Sequence, residues 1–173
     1  MKRWIGLAAA GALLAGCAGT GMMASGPSAT TTLESTKGNT AGGKVDFRQK
    51  GDKVLVTATL SGLSPGQHGF HIHEKGDCSS GDGMSAGGHF NPTTKPHGAP
   101  TAPDHHTGDM PMVVADAAGN ATLRAELDAM TIGSGATDIV GKSVIVHKDP
   151  DDYKTQPTGN SGARVACGVI KKA

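Results

Sequence analysis

The chain has 173 residues, enough for one domain of ordinary size. Its 16 basic and 15 acidic residues nearly cancel, so the charge balance points away from a nucleic-acid partner. Aromatic residues make up only 3%, yet there are eight histidines, all between His68 and His147.

In chain order, Met1-Lys2-Arg3 is a short positive segment, Trp4 to Leu14 is apolar, and Leu14-Ala15-Gly16-Cys17 follows. The apolar run is about a dozen residues, against the roughly 20 needed to span a bilayer. It reads as an export signal ending in small residues. The Leu-Ala-Gly-Cys string resembles the lipobox of bacterial lipoproteins. That resemblance implies loss of residues 1–16, lipid on Cys17, and anchoring in the cell envelope. By resemblance to known lipoprotein sorting, Ala18 after the cysteine favours the outer membrane. Residues 17–30 are uncharged and rich in Ala, Gly, Thr, Ser and Met, the composition of a flexible tether, so the folded domain is expected over residues 31–173. Losing Lys2 and Arg3 leaves 14 basic against 15 acidic residues, a net charge of −1. Two cysteines then remain, Cys78 and Cys167, and an even pair in an exported domain suggests a disulfide.

From Thr31 the signals are for strands. Lys44 to Arg48 and Lys53 to Leu60 flank Gln49-Lys50-Gly51-Asp52, a turn signal. Val54, Val56, Ala58 and Leu60 alternate with Leu55, Thr57 and Thr59, as a half-buried strand requires. Ser64-Pro65-Gly66 breaks the chain before a strand from Gly69 to Glu74. Lys75 to Met110 is rich in Gly, Pro, Asp and His and has no period. A loop of that length in a compact domain is functional or disordered, and its histidines argue that metal orders it. Met112 to Ala115 and Ala121 to Leu127 predict a second hairpin. Lys142 to His147 predicts a short strand, a second loop runs from Lys148 to Gly162, and Arg164 to Ile170 predicts the last strand. Many short strands without a long helix indicate an all-β fold, an antiparallel sandwich or barrel of about eight strands.

Residues i and i+2 of a strand share a face, so His71 and His73 can reach one metal together. His147 ends a distant strand that a sandwich can bring beside them. His89, His97, His106 and Asp109 lie in or near the long loop, and three imidazoles with one carboxylate suit tetrahedral zinc. His68 reads as a packed structural histidine. His105 adjoins His106, but the His-x-x-Asp spacing selects His106. Met84, Met110 and Met112 lack the close spacing of a copper-shuttle site.

His68 to Cys78, Gly88-His89-Phe90-Asn91-Pro92, Pro96-His97-Gly98, His106-Thr107-Gly108-Asp109, Val144 to His147 and Gly162 to Ile170 together resemble copper/zinc superoxide dismutase in its bacterial exported form. The resemblance covers about residues 31–171. It implies a Greek-key barrel with long metal-binding and electrostatic loops. By the same resemblance His71, His73, His89 and His147 are copper ligands. His89, His97, His106 and Asp109 are zinc ligands, with His89 shared between the two metals. Cys78 and Cys167 form the disulfide, Arg164 attracts the anionic substrate, and Asp151 links a copper histidine to a zinc histidine. The implied reaction turns two superoxide anions into dioxygen and hydrogen peroxide, with His89 as a proton donor and protection of the cell envelope as the outcome. Lys142, Lys148 and Lys154 are candidates for wider steering, although ordinary surface lysines explain them as well.

Two features depart from the eukaryotic pattern. Ten residues lie between Cys78 and His89, and the loop from His147 to Arg164 is short and contains Pro150 and Pro157. Steering and any homodimer interface therefore cannot be copied from the eukaryotic enzymes. The competing reading is a non-catalytic module that buffers or delivers copper and zinc. Arg164 speaks against it, because a metal store has no need of an anion guide.

Overall fold

The computed structural model describes residues 26–173 together with Met1. The export signal, Cys17 and most of the expected tether lie outside the described residues. β1 (Ser28–Ser35) starts inside the segment expected to be tether, because Ser28, Ala29 and Thr30 pair with Arg48, Phe47 and Asp46. Its alternation buries Ala29, Thr31 and Leu33.

β2 (Gly42–Lys50) and β3 (Lys53–Ser61) extend the expected hairpin to the pair Lys50–Lys53, leaving Gly51-Asp52 as the turn. The strand expected from Gly69 to Glu74 is preceded by a short strand that the sequence did not predict. β4 (Gly66–His68) and β5 (Phe70–His73) diverge at Gly69, whose N–H donates to the Asp149 carbonyl at 2.9 Å. β6 (Val113–Ala115) and β7 (Ala121–Leu127) meet only at Ala115–Ala121. Instead β7 lies along β3 and β6 along β4, so the predicted hairpin is a corner between neighbours. β8 (Ser143–His147), β9 (Arg164–Val169) and the two-residue β10 (Lys171–Lys172) complete the set.

All strand pairs are antiparallel, in the order β4-β6-β7-β3-β2-β1-β9-β8-β5, with β10 added to β1. The two ends of this path, β4 and β5, are joined through Gly69, so the sheet curls into a nearly closed barrel. Among the described residues the only helical segment is a 3-10 turn, Met84–Ala86, and no helix is long and apolar enough to cross a membrane. The barrel core holds Val45, Phe47, Val54, Val56, Phe70, Ile72, Val144 and Val146, and Met110, Met130, Ile139 and Ile170 pack in the same buried cluster.

β5 and β8 position the site because both their faces are buried. Phe70, Ile72, Val144 and Val146 face the barrel, so His71 and His73 must face the other way. The long loop covers that second face. It returns along the free edge of β5: Ile72 donates to Gly108 at 2.9 Å, Phe90 to Ile72 at 2.8 Å and Glu74 to Gly88 at 2.9 Å. Bridges form between His71 and Asp109 and between His73 and His89. A Cβ at Gly108 would overlap the Ile72 carbonyl, so this close return requires glycine.

Candidate metal centre

Two groups of donor atoms converge outside the β5–β8 face. The first is His71, His73, His89 and His147; the second is His89, His97, His106 and Asp109. Within each group the ligand atoms lie within 4.8 Å of one another, and every member is buried. His89 belongs to both.

In the first group, outer partners hold the ring nitrogens that face away from the centre. His73 Nδ1 donates to the Gly87 carbonyl at 2.9 Å and His147 Nδ1 to the Gly162 carbonyl at 3.2 Å. His71 Nε2 donates to Asp151 Oδ2 at 2.7 Å. A carbonyl or carboxylate can only accept, so these contacts fix the tautomers and leave the inner nitrogens bare. His73 Nε2 and His147 Nε2 are 3.4 Å apart, while His71 Nδ1 and His89 Nε2 are buried without any hydrogen-bond partner. Unpartnered buried nitrogens cost roughly 1–3 kcal/mol each, a cost that a bound cation removes. Burial pushes the pKa of all four rings down, to about 4 for His89. Neutral imidazoles are what a metal needs, and four of them suit copper in either oxidation state.

In the second group Asp109 is the hub. Its Oδ1 lies 2.9 Å from His89 Nδ1, 3.0 Å from His97 Nδ1 and 3.5 Å from His106 Nδ1. Its Oδ2 accepts from the backbone N–H of His106 at 2.8 Å and of Gly98 at 3.1 Å. Burial alone would raise the Asp109 pKa, but hydrogen bonds from His106, His89 and His97 hold it far below the carboxylate range. His97 behaves oppositely to the other rings. Burial opposes its charge, yet Asp109 and Asp151 outweigh burial and push its pKa up to about 9. Three imidazoles and one carboxylate match the donors and number of a tetrahedral zinc site.

Asp151 joins the two groups. Its second oxygen accepts from His97 Nε2 at 2.9 Å and from the Tyr153 N–H at 2.7 Å. Burial works against its charge, but hydrogen bonds from His71 and His97 keep the carboxyl ionised. Gly159 makes room for this contact. It has φ +67°, and a Cβ there would lie 2.6 Å from His97 Nε2 and collide with Asp151.

Arg164 opens β9 beside the first group. Its guanidinium donates to the Gly83 and Gly87 carbonyls, each at 2.7 Å, and Gly87 is also the partner of His73. Burial lowers its pKa, but a guanidinium remains charged in proteins. Cys167, on the same strand, is disulfide-bonded to Cys78 across 89 residues of sequence.

Other residues singled out in the sequence fall outside both groups. His68 places Nδ1 2.8 Å from the His147 carbonyl and Nε2 2.8 Å from the Ser64 carbonyl, behind the centre. His105 Nδ1 donates to the His106 carbonyl at 2.7 Å. Lys142 lies over the Phe90 ring at 4.9 Å, and Lys148 and Lys154 are exposed. Met84 is exposed and Met110 buried, whereas Met112 Sδ accepts from the Asp151 N–H at 3.3 Å. Sequence reasoning missed Gln156, Tyr153 and the Gly83 and Gly87 carbonyls. Backbone acceptors carry no residue signature, and a glutamine in a loop gives none either.

Residues 41–170 match the family model of copper/zinc superoxide dismutase (SODC). Over 134 residues the chain is 42% identical to an extracellular Cu-Zn superoxide dismutase of Caenorhabditis elegans, covering 74% of this chain and 60% of that protein's length. It is 45% identical over 135 residues to Cu-Zn superoxide dismutase 2 of Brassica juncea, covering 74% and 88% of the two chains. The crystal structure of the clock protein EA4 superposes with a TM-score of 0.78 at 40% identity, over 84% of this chain and 94% of that one. The chain belongs to the copper/zinc superoxide dismutase family.

Proposed function

We propose that this chain converts superoxide to dioxygen and hydrogen peroxide, with copper held by His71, His73, His89 and His147 and zinc by His89, His97, His106 and Asp109. The observation that carries the reading is His89. Its Nδ1 faces Asp109 and the second group, while its buried Nε2 has no partner and faces the first. When bound, copper supplies one-electron exchange, and zinc, which has no redox chemistry, supplies fixed charge and geometry.

The remaining work falls to the chain. Two superoxide anions and two protons give one dioxygen and one hydrogen peroxide. His89 Nε2 is the atom suited to hold one of those protons and release it, because burial makes its charged form unstable. Water supplies the other. Two guanidinium N–H groups of Arg164 are tied to carbonyls, which leaves three for a small anion. Asp151 keeps the His71 and His97 rings oriented.

The cellular setting belongs to the same proposal: a bacterial lipoprotein signal over residues 1–16, lipid on Cys17, and a periplasmic domain anchored to the outer membrane. Support comes from the Leu14-Ala15-Gly16-Cys17 string, from a disulfide suited to an oxidising compartment, and from an extracellular relative. A homodimer is the assembly to look for by sedimentation. The deciding assay for function is superoxide dismutation by the metal-loaded protein. Full copper occupancy without activity would reject the enzyme and leave the buffering or delivery module.

A further inference from the structure

Six of the seven clustered residues hang from backbone held by a strand, a bridge or a turn. His71 and His73 lie on β5, and His147 ends β8. His89 and Asp109 form bridges to β5. His106 donates its N–H to Asp109 Oδ2 at 2.8 Å, and its carbonyl accepts from the Asp109 N–H at 3.1 Å. His97 follows Pro96 in a stretch without strands, and both its backbone groups end on one side chain. Its N–H donates to Gln156 Oε1 at 2.8 Å, and its carbonyl accepts from Gln156 Nε2 at 2.9 Å. The second amide hydrogen of Gln156 reaches the Lys154 carbonyl at 3.2 Å. One donor and two acceptors allow only this orientation of the carboxamide.

The loop that presents Gln156 is itself tied down. Asp152 Oδ1 accepts from the N–H groups of Lys154 at 2.9 Å and Thr155 at 2.8 Å. Gly159 closes the turn, donating to Thr155 at 2.7 Å and accepting from Asp152 at 2.9 Å.

We infer that Gln156 is a positioning residue for the second donor group: its carboxamide does for His97 what a strand ladder does for His71 and His73. The inference rests on the metal assignment proposed above. A ring points where its Cα allows. With Gln156 in place, Nδ1 of His97 is aimed at Asp109 and Nε2 at Asp151. Without it the His97 backbone turns to water, and the ring must be ordered at the expense of metal binding. The same contact joins the two loops, because His97 lies on the first and Gln156 on the second. Outer groups of this kind typically carry about 10–100-fold in metal affinity. Gln156 is an exposed loop residue outside the hydrophobic core, so its replacement leaves the barrel core intact.

The test uses the full chain without copper. Zinc affinity is measured by chelator competition, and site geometry by the visible spectrum of cobalt(II) bound in place of zinc. Gln156→Met keeps the length and loses every hydrogen bond. It should weaken zinc by about 10–100-fold and shift the cobalt bands. Gln156→Glu keeps an acceptor for the His97 N–H but sets an oxygen against the His97 carbonyl, so it should weaken zinc as well. Unaltered zinc affinity and cobalt bands in Gln156→Met overturn the inference, and a Gln156→Glu variant indistinguishable from the parent does the same. A parent chain that takes up no zinc removes the ligand assignment and this inference with it. A parent that binds zinc but shows no dismutation overturns only the enzymatic reading, since the zinc comparison is still read.

Discussion

At the scale of single residues, the metal-free centre holds charges that pull in opposite directions with pH. His89 titrates near 4 in the fold against about 6.5 when unfolded, so between those values the unfolded chain holds a proton that the folded one lacks. Stability from His89 is therefore present above 6.5 and lost as pH falls through 4, and His71, His73 and His147 act in the same direction. His97 has the reverse sign: raised to about 9, it contributes fully below 6.5 and loses its contribution as pH rises through 9. Denaturant midpoints of the metal-free chain should thus peak near pH 6.5 and fall on both sides, toward 4 and toward 9, and a steady trend across the whole range would contradict the assignment. Arg164 gives a separate prediction. Arg164→Ala should retain both metals, lower kcat/KM by roughly tenfold or more, and flatten its dependence on salt. Unchanged kinetics would remove Arg164 from the guiding role.

At the scale of elements, the centre depends on β5 and β8 being buried on both faces. One face packs Phe70, Ile72, Val144 and Val146 into the barrel. The other presents His71 and His73, with Ile145 packed against Ala86 and Cys167 in a small second cluster. The disulfide pins the loop beside this cluster, and its 89-residue separation makes it a strong constraint on the unfolded chain. Replacing both Cys78 and Cys167 by Ser should lower unfolding free energy by about 4–5 kcal/mol in the chain-entropy account, measured by denaturant titration. A loss under 1 kcal/mol would mean that the loop is held by its metals and backbone bonds alone. The strand alternation was readable in Val54 to Leu60, where Val54, Val56, Ala58 and Leu60 are buried and the opposite face carries the polar Thr57 and Thr59. It was not readable in Gly66–His68, because three residues show no period and their partner, β6, comes 45 residues later.

At the scale of the molecule, barrel and loops have different sources of order. The strands share continuous ladders, whereas residues 75–112 and 148–162 contain no strand and carry His89, His97, His106, Asp109 and Asp151. Removing both metals should speed amide exchange in those loops far more than in β1, β2 and β3. Equal protection with and without metal would show that the loops are ordered by their own contacts. The anchoring proposal is tested on the whole protein in its cell: Cys17→Ser should move it from the membrane fraction to the soluble one. Continued membrane association would reject the lipobox reading.

The sequence by itself determined the kinds of atoms available for a metal centre, because ligand chemistry is a property of side chains. His71 and His73 share a face by strand period alone, and the motifs around His89, His97, His106, Asp109 and His147 carried the family resemblance. It also pointed to an all-β fold through short alternating runs. Only the tertiary structure decided which atoms meet. That His89 turns Nδ1 to one group and Nε2 to the other depends on a loop returning along the free edge of β5. That Asp151 reaches both His71 and His97, and that Gln156 carries the His97 backbone, depends on two loops far apart in sequence closing on each other. Contacts between distant segments and polar backbone atoms leave no local pattern, so folding alone creates that information.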